Sequence, residues 1–342
     1  MTDIPKSKTA VVIPNWNGAK SIIDCLKSLK TQTETATIIV VDNGSIDSSI
    51  NLIEQKFSSV KLIKHPKNYG FAGGVNAGIR LALAEDYEYI ALLNNDAVAE
   101  PDWLAVLVAF LSSHPGAGIV TSKIVSVTGK LDSTGELYSI WGLPFPRGRD
   151  KTDLDQYDDQ TWIFGASGGA SLYRADMFRQ IGLFDEDFFA YYEDVDISFR
   201  AQLAGWKIGF EPKAIIYHQI GATSRTIPGF AAYQTLKNLP LLMWKNVPWA
   251  LMPKVWPRLT IAYLFIAGRA LLRGQFGPFF RGTAVSLALL PKKWLQRYHI
   301  QKTRKASTGY ISSIITYDLP PNATKLRKLR SLWWVITRRQ PS

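Results

Sequence analysis

AVVIPNWNGAKSIIDCLKSLKTQTETATIIVVDNGS, residues 10–45, decides the fold: two short apolar runs, each ending in polar or turn-forming residues, flank one stretch of helical character. The runs read as strands at Ala10–Pro14 and Thr37–Asp42, and the stretch between them as a helix over Ala19–Lys30. Downstream the alternation continues, with strands expected at Lys61–Lys64 and Tyr89–Leu93 and helices at Asp47–Phe57 and Gly74–Ala84. Such alternation builds an α/β fold, a mostly parallel sheet with helices on both faces. Ligands then bind beyond the carboxyl ends of the strands, where loops converge around helix N-termini that favour anions.

After Asp96 a helix is expected at Trp103–Ser112, a strand near Ile119–Val127 and a turn at Thr128–Lys130. Trp103–Ser122 carries no formal charge, but His114, Pro115 and two glycines interrupt it, so it reads as helix, turn and buried strand and not as a membrane span. Trp141–Gln160, rich in Gly, Pro, Arg and Asp, reads as a mobile loop serving as a lid or acceptor-binding element.

The chain has 342 residues, 46% of them hydrophobic, enough for a sizeable core and too apolar for a disordered protein. A single cysteine, Cys25, excludes an intramolecular disulfide and is expected to be a buried helix thiol. The stretch MTDIPKSKTA lacks the apolar core of a signal peptide, so a cytoplasmic protein is expected.

Charge divides the chain at Gly229. Residues 1–229 hold 21 Lys and Arg against 27 Asp and Glu, a net of −6, whereas residues 230–342 hold 19 against one, Asp318, a net of +18. Two bodies are expected: an α/β domain over 1–229 and a basic, aromatic-rich helical region over 230–342. In the second, Trp244, Trp249, Trp256, Trp294, Trp333 and Trp334 lie among cations, and no apolar run reaches the eighteen or so uncharged residues of a spanning helix. This texture suits helices lying in the headgroup region of an anionic membrane. A nucleic-acid-binding protein is the competing class, but these cations alternate with aliphatic runs that a polyanion groove does not need. No nucleic-acid partner is expected.

Several strand ends carry chemistry. Asp42 in VVDNGS can accept the imide N–H of uracil or thymine, or it can form an Asx turn before a helix capped by Ser45 or Asp47. In NYGFAGGVNAG, residues 68–78, glycines such as Gly70 let backbone approach a ligand, while Asn68 and Asn76 can hold the loop or touch a nucleotide. Asp96 in LLNNDAV suits a hard divalent cation bridging a diphosphate, and His218, at the end of a strand over Ala214–His218, can complete the site. An imidazole ligand favours manganese over magnesium.

The densest constellation is GLFDEDFFAYYEDVD, residues 182–196, ahead of a helix over Ile197–Ala204. Val195, Phe199 and Leu203 bury one face, and Glu193 and Asp194 stand at the N-terminus, where the dipole stabilises carboxylates. Capping accounts for one acid, and a carboxylate within reach of an acceptor hydroxyl can take its proton. Asp196 can pair with Arg200 at helical spacing and is read as structural.

With VVIPNWNG (11–18), SGGASLYRADMF (167–178), GLFDEDFFAYYEDVDISFRAQLAGW (182–206) and YHQIGATS (217–224) added, the ordered series resembles the family-2 inverting glycosyltransferases of GT-A fold, and among them the bacterial rhamnosyltransferase-like branch. The resemblance spans roughly residues 9–225. It implies that Pro14 and Trp16 lie against a nucleotide, that Asp42 meets the base, and that Asn94-Asn95-Asp96 holds a divalent cation, Mn or Mg, with His218 close by. It further implies that Glu193-Asp194 supplies the catalytic base through its second member. Position 94 departs from the aspartate of many relatives, although Asn94 can still bond a ribose hydroxyl. The implied reaction is one in-line displacement with inversion. The expected donor is thymidine-diphosphate rhamnose, a uridine-diphosphate sugar coming second; the expected acceptor is a lipid-linked or cell-surface glycan at the inner face of the cell membrane.

Overall fold

Val11 and Ile13 point to one face of the central sheet and Ala10 and Val12 to the other, and helices cover both faces. The computed structural model describes residues 8–218 and 227–321, together with Ala323 and Arg327. The YHQIGATS motif beyond His218, and Trp333 and Trp334, lie outside the described residues.

β1 (Thr9–Asn15), α1 (Ile22–Lys30), β2 (Thr37–Asp42), α2 (Ser49–Lys56), β3 (Lys61–Lys64), α3 (Gly70–Ala84) and β4 (Tyr89–Leu93) follow the expected alternation. There follow β5 (Ala97–Ala99), α4 (Trp103–Ser113), β6 (Ala117–Ser126), β7 (Leu131–Ser133), β8 (Glu136–Tyr138) and β9 (Pro144–Pro146). β10 (Ala170–Arg174), α5 (Ala175–Ile181), α6 (Glu193–Leu203) and β11 (Lys207–His218) complete the sheet-bearing part. Four helices follow: α7 (Phe230–Asn246), α8 (Met252–Leu272), α9 (Phe276–Lys302) and α10 (Thr308–Ile314).

Strand order is β3-β2-β1-β4-β10-β6-β11-β5, with β7 against β6. Pairing is parallel from β3 to β4, as expected. Beyond β4 the sheet is mixed, because β10 runs antiparallel to both β4 and β6. α1, α2 and α4 pack on one face, and α3, α5 and α6 on the other. Cys25 is buried in α1, as expected, and burial pushes its thiol pKa up, which leaves it inert.

Trp141–Gln160 is not the free loop its composition suggests. Arg147 is buried and donates to the Thr134 carbonyl from Nε (3.1 Å) and Nη2 (2.8 Å). Lys123 reaches Asp153 (3.0 Å), Asp155 (3.2 Å) and Asp158 (3.0 Å). Arg147, Asp153, Asp155 and Asp158 thus tie the segment down.

The charge break at Gly229 falls on the N-cap of α7, yet it does not break the packing. Tyr138, Phe188, Val195 and Phe199 share one core with Leu239, Leu242, Val255 and Leu259. Among the described residues one helical stretch, Trp249–Leu272, is long and apolar enough to cross a membrane by length and composition; the expectation of none held it to a stricter, uncharged standard. Val255, Leu259 and Ala262 of this stretch are buried against the rest of the chain.

Candidate active site

The carboxyl ends of β1, β4 and β11 and the N-termini of α3 and α6 surround a cavity of about 650 Å³. β1 delivers Pro14 and Trp16 to it, β4 delivers Asn94, Asn95 and Asp96, and β11 delivers His218. Asn68 and Gly70 line it ahead of α3, and Glu193 and Asp194 line it from α6. Ten of the twelve expected site residues therefore share one cavity.

Two do not. Asp42 is buried outside the cavity: its Oδ1 accepts from Asn15 (3.0 Å) and its Oδ2 from the backbone N–H of Gly44 (3.1 Å) and Ser45 (2.9 Å). The Asx-turn alternative describes this geometry, which holds the carboxylate against its own backbone and outside the cavity lining. Asn76 is buried too, donating to the Phe184 carbonyl (2.9 Å) and to Glu186 Oε1 (2.9 Å) and accepting from Phe184 N–H (3.0 Å). It ties α3 to the acidic segment ahead of α6.

His218 Nε2 lies 3.0 Å from Asp96 Oδ1, and His218 Nδ1 lies 2.9 Å from Asp132 Oδ2. Arg149 Nη2 closes on the other Asp132 oxygen at 2.7 Å. Burial opposes charge on His218, but hydrogen bonds to Asp132 and Asp96 outweigh it and raise the imidazole pKa to about 9. Burial likewise opposes charge on Asp132, but His218 and Arg149 pull its pKa below the ordinary value.

These residues fit a divalent cation. Adjacent donors of an octahedral site with bonds of about 2.1 Å lie about 3 Å apart, the separation that Asp96 and His218 already have. Asp96 and His218 Nε2 would hold such a cation, with Asp132 accepting from Nδ1–H and orienting the ring. No cluster of three or more His, Cys, Asp or Glu suited to a metal exists among the described residues, so a cation held here would depend on oxygens that the protein does not supply.

At α6, Asp194 Oδ2 accepts from Gly168 N–H (3.1 Å) and Oδ1 from Val195 N–H (2.8 Å). Burial nevertheless raises its pKa. Glu193 is pushed up to about 8, by burial first and by the Asp194 charge second. Among the described residues its Oε2 is buried without a hydrogen-bond partner. Glu136, also lining the cavity, is raised well above the ordinary range by burial and by Asp194.

The loop before α6 is strained. Phe189, Tyr191 and Tyr192 have φ of 63°, 69° and 72°, which costs side-chain-bearing residues roughly 1–3 kcal/mol each. α7 holds them there. Asn238 Nδ2 lies 3.0, 2.9 and 2.8 Å from the carbonyls of Phe188, Ala190 and Tyr191, and Lys237 Nζ donates to those of Asp187 (2.9 Å) and Phe188 (3.1 Å). Gly70, at φ 76°, lets the Phe189 backbone come close, since a Cβ there would collide with the Phe189 carbonyl and ring.

Residues 10–182 match the family model for glycosyl transferase family 2. The chain belongs to that family. The match ends before Glu193, Asp194 and His218, so their assignment rests on the geometry above. The family-2 chain is 26% identical over 278 residues to the N-acetylglucosaminyl-diphospho-decaprenol L-rhamnosyltransferase of Mycobacterium tuberculosis, covering 75% of this chain and 89% of that one. It is also 26% identical over 216 residues to the poly-beta-1,6-N-acetyl-D-glucosamine synthase of Staphylococcus epidermidis, covering 61% of this chain and 49% of that one.

Solved glycosyltransferases share the GT-A fold. S. aureus TarS 1–349 in complex with UDP-GlcNAc aligns with a TM-score of 0.54 at 16% identity, over 86% of this chain and 90% of that one. GalNAc-T7 with UDP, GalNAc and Mn2+ aligns with a TM-score of 0.56 at 18% identity, over 71% and 48%.

Asp132, Glu136 and Arg149 were not legible as site residues. Asp132 and Glu136 sit in three-residue strands too short to show a pattern, and Arg149 in a segment whose composition reads as loop. The Lys237–Asn238 clamp lies in the segment that charge alone set apart.

Proposed function

We propose that this glycosyltransferase moves L-rhamnose from thymidine-diphosphate rhamnose onto a glycan acceptor carried on a lipid, with inversion at the anomeric carbon. The observation that carries this reading is a single cavity lined both by the Asp96–His218 pair and by the buried carboxylate of Asp194. Sugar and acceptor class follow the mycobacterial relative, whose name joins L-rhamnose to N-acetylglucosaminyl-diphospho-decaprenol.

Asp194 is the base. Gly168 and Val195 N–H groups fix its carboxylate, and its raised proton affinity favours taking the hydroxyl proton as the new C–O bond forms. Glu193, its pKa pushed up to about 8 by burial and by the Asp194 charge, adds little negative charge beside the base. Pro14 and Trp16 flank the nucleotide, and Asn94 and Asn95 meet its polar part. Asp96 and His218 would hold manganese or magnesium, which would offset charge on the departing diphosphate. Asp132 keeps His218 in the tautomer that suits this. We infer that the protein works at the cytoplasmic face of the membrane, where a lipid-carried acceptor is within reach.

A UDP-sugar donor is the second reading, favoured by solved relatives that hold UDP or UDP-GlcNAc. Incubating purified protein with a panel of nucleotide sugars, with and without manganese, separates the two. Turnover of thymidine-diphosphate rhamnose above every UDP sugar, and only with the metal, is expected. Preference for a UDP sugar replaces the donor, and no turnover of any sugar overturns the activity.

A further inference from the structure

Leu272 is 90% exposed at the end of α8, and Phe276 and Phe280, 55% and 64% exposed, begin α9 directly after it. A bare apolar tip of this size is unusual on a water-soluble surface. It continues along both helices. On α8, Ile261, Leu264 and Leu272 are exposed at intervals of three and eight, one helical face, and on α9 Phe280, Leu287, Trp294 and Tyr298 recur at seven, seven and four. Only 28% of the most apolar window of Trp249–Leu272 is buried, whereas the core helix of a soluble protein is mostly covered.

The flank of the stripe identifies what covers it. Arg258, Arg269 and Arg273 follow one another along the adjacent face of α8 and are exposed, and among the described residues none of them meets a carboxylate. Trp249, Trp256 and Trp294, all about half exposed, stand together at the other end of the helix pair, with Trp249 and Trp294 centroids 5.4 Å apart. An apolar face bordered by arginines and tryptophans matches the boundary between acyl chains and anionic headgroups. A protein partner would need acids opposite the arginines as well as an apolar face; an anionic bilayer supplies both at once.

The tip also adjoins the cavity. Pro278 packs on Gly229, where an added Cβ would lie 2.6 Å from the Pro278 ring. Gly229 immediately precedes Phe230, which lines the cavity together with Ile227. Phe230 in turn meets Phe189 (6.2 Å) and Tyr191 (6.0 Å) in the loop that leads to Glu193 and Asp194. Apolar surface thus runs from the tip to the rim of the cavity.

We infer that the exposed edge of α8 and α9, with its tip at Leu272, Phe276 and Phe280, docks on an anionic bilayer and sets the rim of the catalytic cavity at the lipid surface. α8 lies along the surface without crossing it, because Val255, Leu259 and Ala262 stay in the core shared with the catalytic part. The inference rests on the proposed function only for the lipid on the acceptor; docking itself is read from the surface.

The test is sedimentation of the purified full chain with vesicles of phosphatidylcholine, with and without phosphatidylglycerol. The wild type is expected to bind the anionic vesicles at least tenfold more tightly. The triple variant Leu272→Glu, Phe276→Glu, Phe280→Glu is expected to lose at least tenfold of that binding while keeping its thermal midpoint. Leu154→Glu, which adds a charge at an equally exposed leucine elsewhere, is expected to bind as wild type. Unchanged binding of the triple variant, or equal loss in Leu154→Glu, overturns the docking edge. Nucleotide-sugar turnover is measured on the same samples without vesicles, so failure of the proposed activity is seen separately.

Discussion

Lys245 Nζ of α7 lies 2.8 Å from Asp196 Oδ2 of α6, both almost fully buried, two residues past Asp194. The same ammonium reaches Asp185 at 2.6 Å, and Lys293 of α9 bridges Asp185 (2.6 Å) and Asp187 (2.7 Å). Arg200 completes the group, with Nε 2.9 Å from Asp196, as the helical spacing anticipated. The acids crowded around the start of α6 are therefore divided: Asp185, Asp187 and Asp196 anchor the C-terminal helices, and Glu193 and Asp194 face the cavity.

Removing Lys245 leaves buried carboxylates without their counter-charge. Lys245→Ala is expected to lower folding stability by about 3–5 kcal/mol, the range for breaking a buried pair from one side. Chemical denaturation of wild type and variant measures it.

Asn238 acts on the strained loop and not on the substrate. Asn238→Ala is expected to lower kcat on the order of 100-fold, because a displacement of about 1 Å at a reacting group costs this much. The donor KM should change little, since the nucleotide contacts lie on other elements. Steady-state kinetics with the donor varied checks the split between kcat and KM.

Asp132→Asn tests the orientation of His218. Loss of the carboxylate behind a ligating imidazole is expected to weaken manganese binding by about 10–100-fold. Calorimetric titration of manganese in the presence of a nucleoside diphosphate reads this without turnover.

Glu193 links stability to pH. Its ordinary value is 4.5 and its folded value about 8, so between the two the folded chain holds a proton that the unfolded chain has released. Its stabilising contribution is complete below pH 4.5 and is lost as pH rises through 8. Glu193→Gln is expected to flatten this fall, so that its thermal midpoint gains on wild type from pH 5 to 9; parallel midpoints across that range contradict the assignment.

The parallel half of the fold was legible because its strands are short apolar runs whose ends carry polar residues. The mixed half was not: β10 enters between β4 and β6 from a distant segment, and local pattern carries no record of an antiparallel insertion. That Asp96, Glu193, Asp194 and His218 gather at one cavity was legible because each ends or follows a strand or opens a helix. Asp42 and Asn76 stood in equally polar turns, but whether such a side chain faces a ligand or its own backbone is settled by neighbours such as Asn15 and Phe184. Asp132 and Lys237 act through residues 86 and 50 positions away, a separation that spacing along the chain does not reveal.

The central claim is that Asp194 takes the acceptor proton. Its most direct test is the transfer rate of Asp194→Asn at saturating donor and manganese, with donor binding followed in parallel. A loss of about 100-fold to 10,000-fold in kcat, the range for a missing general base, is expected while donor affinity is kept. Transfer within tenfold of wild type would contradict the assignment and leave Glu193 or Glu136 to take the proton.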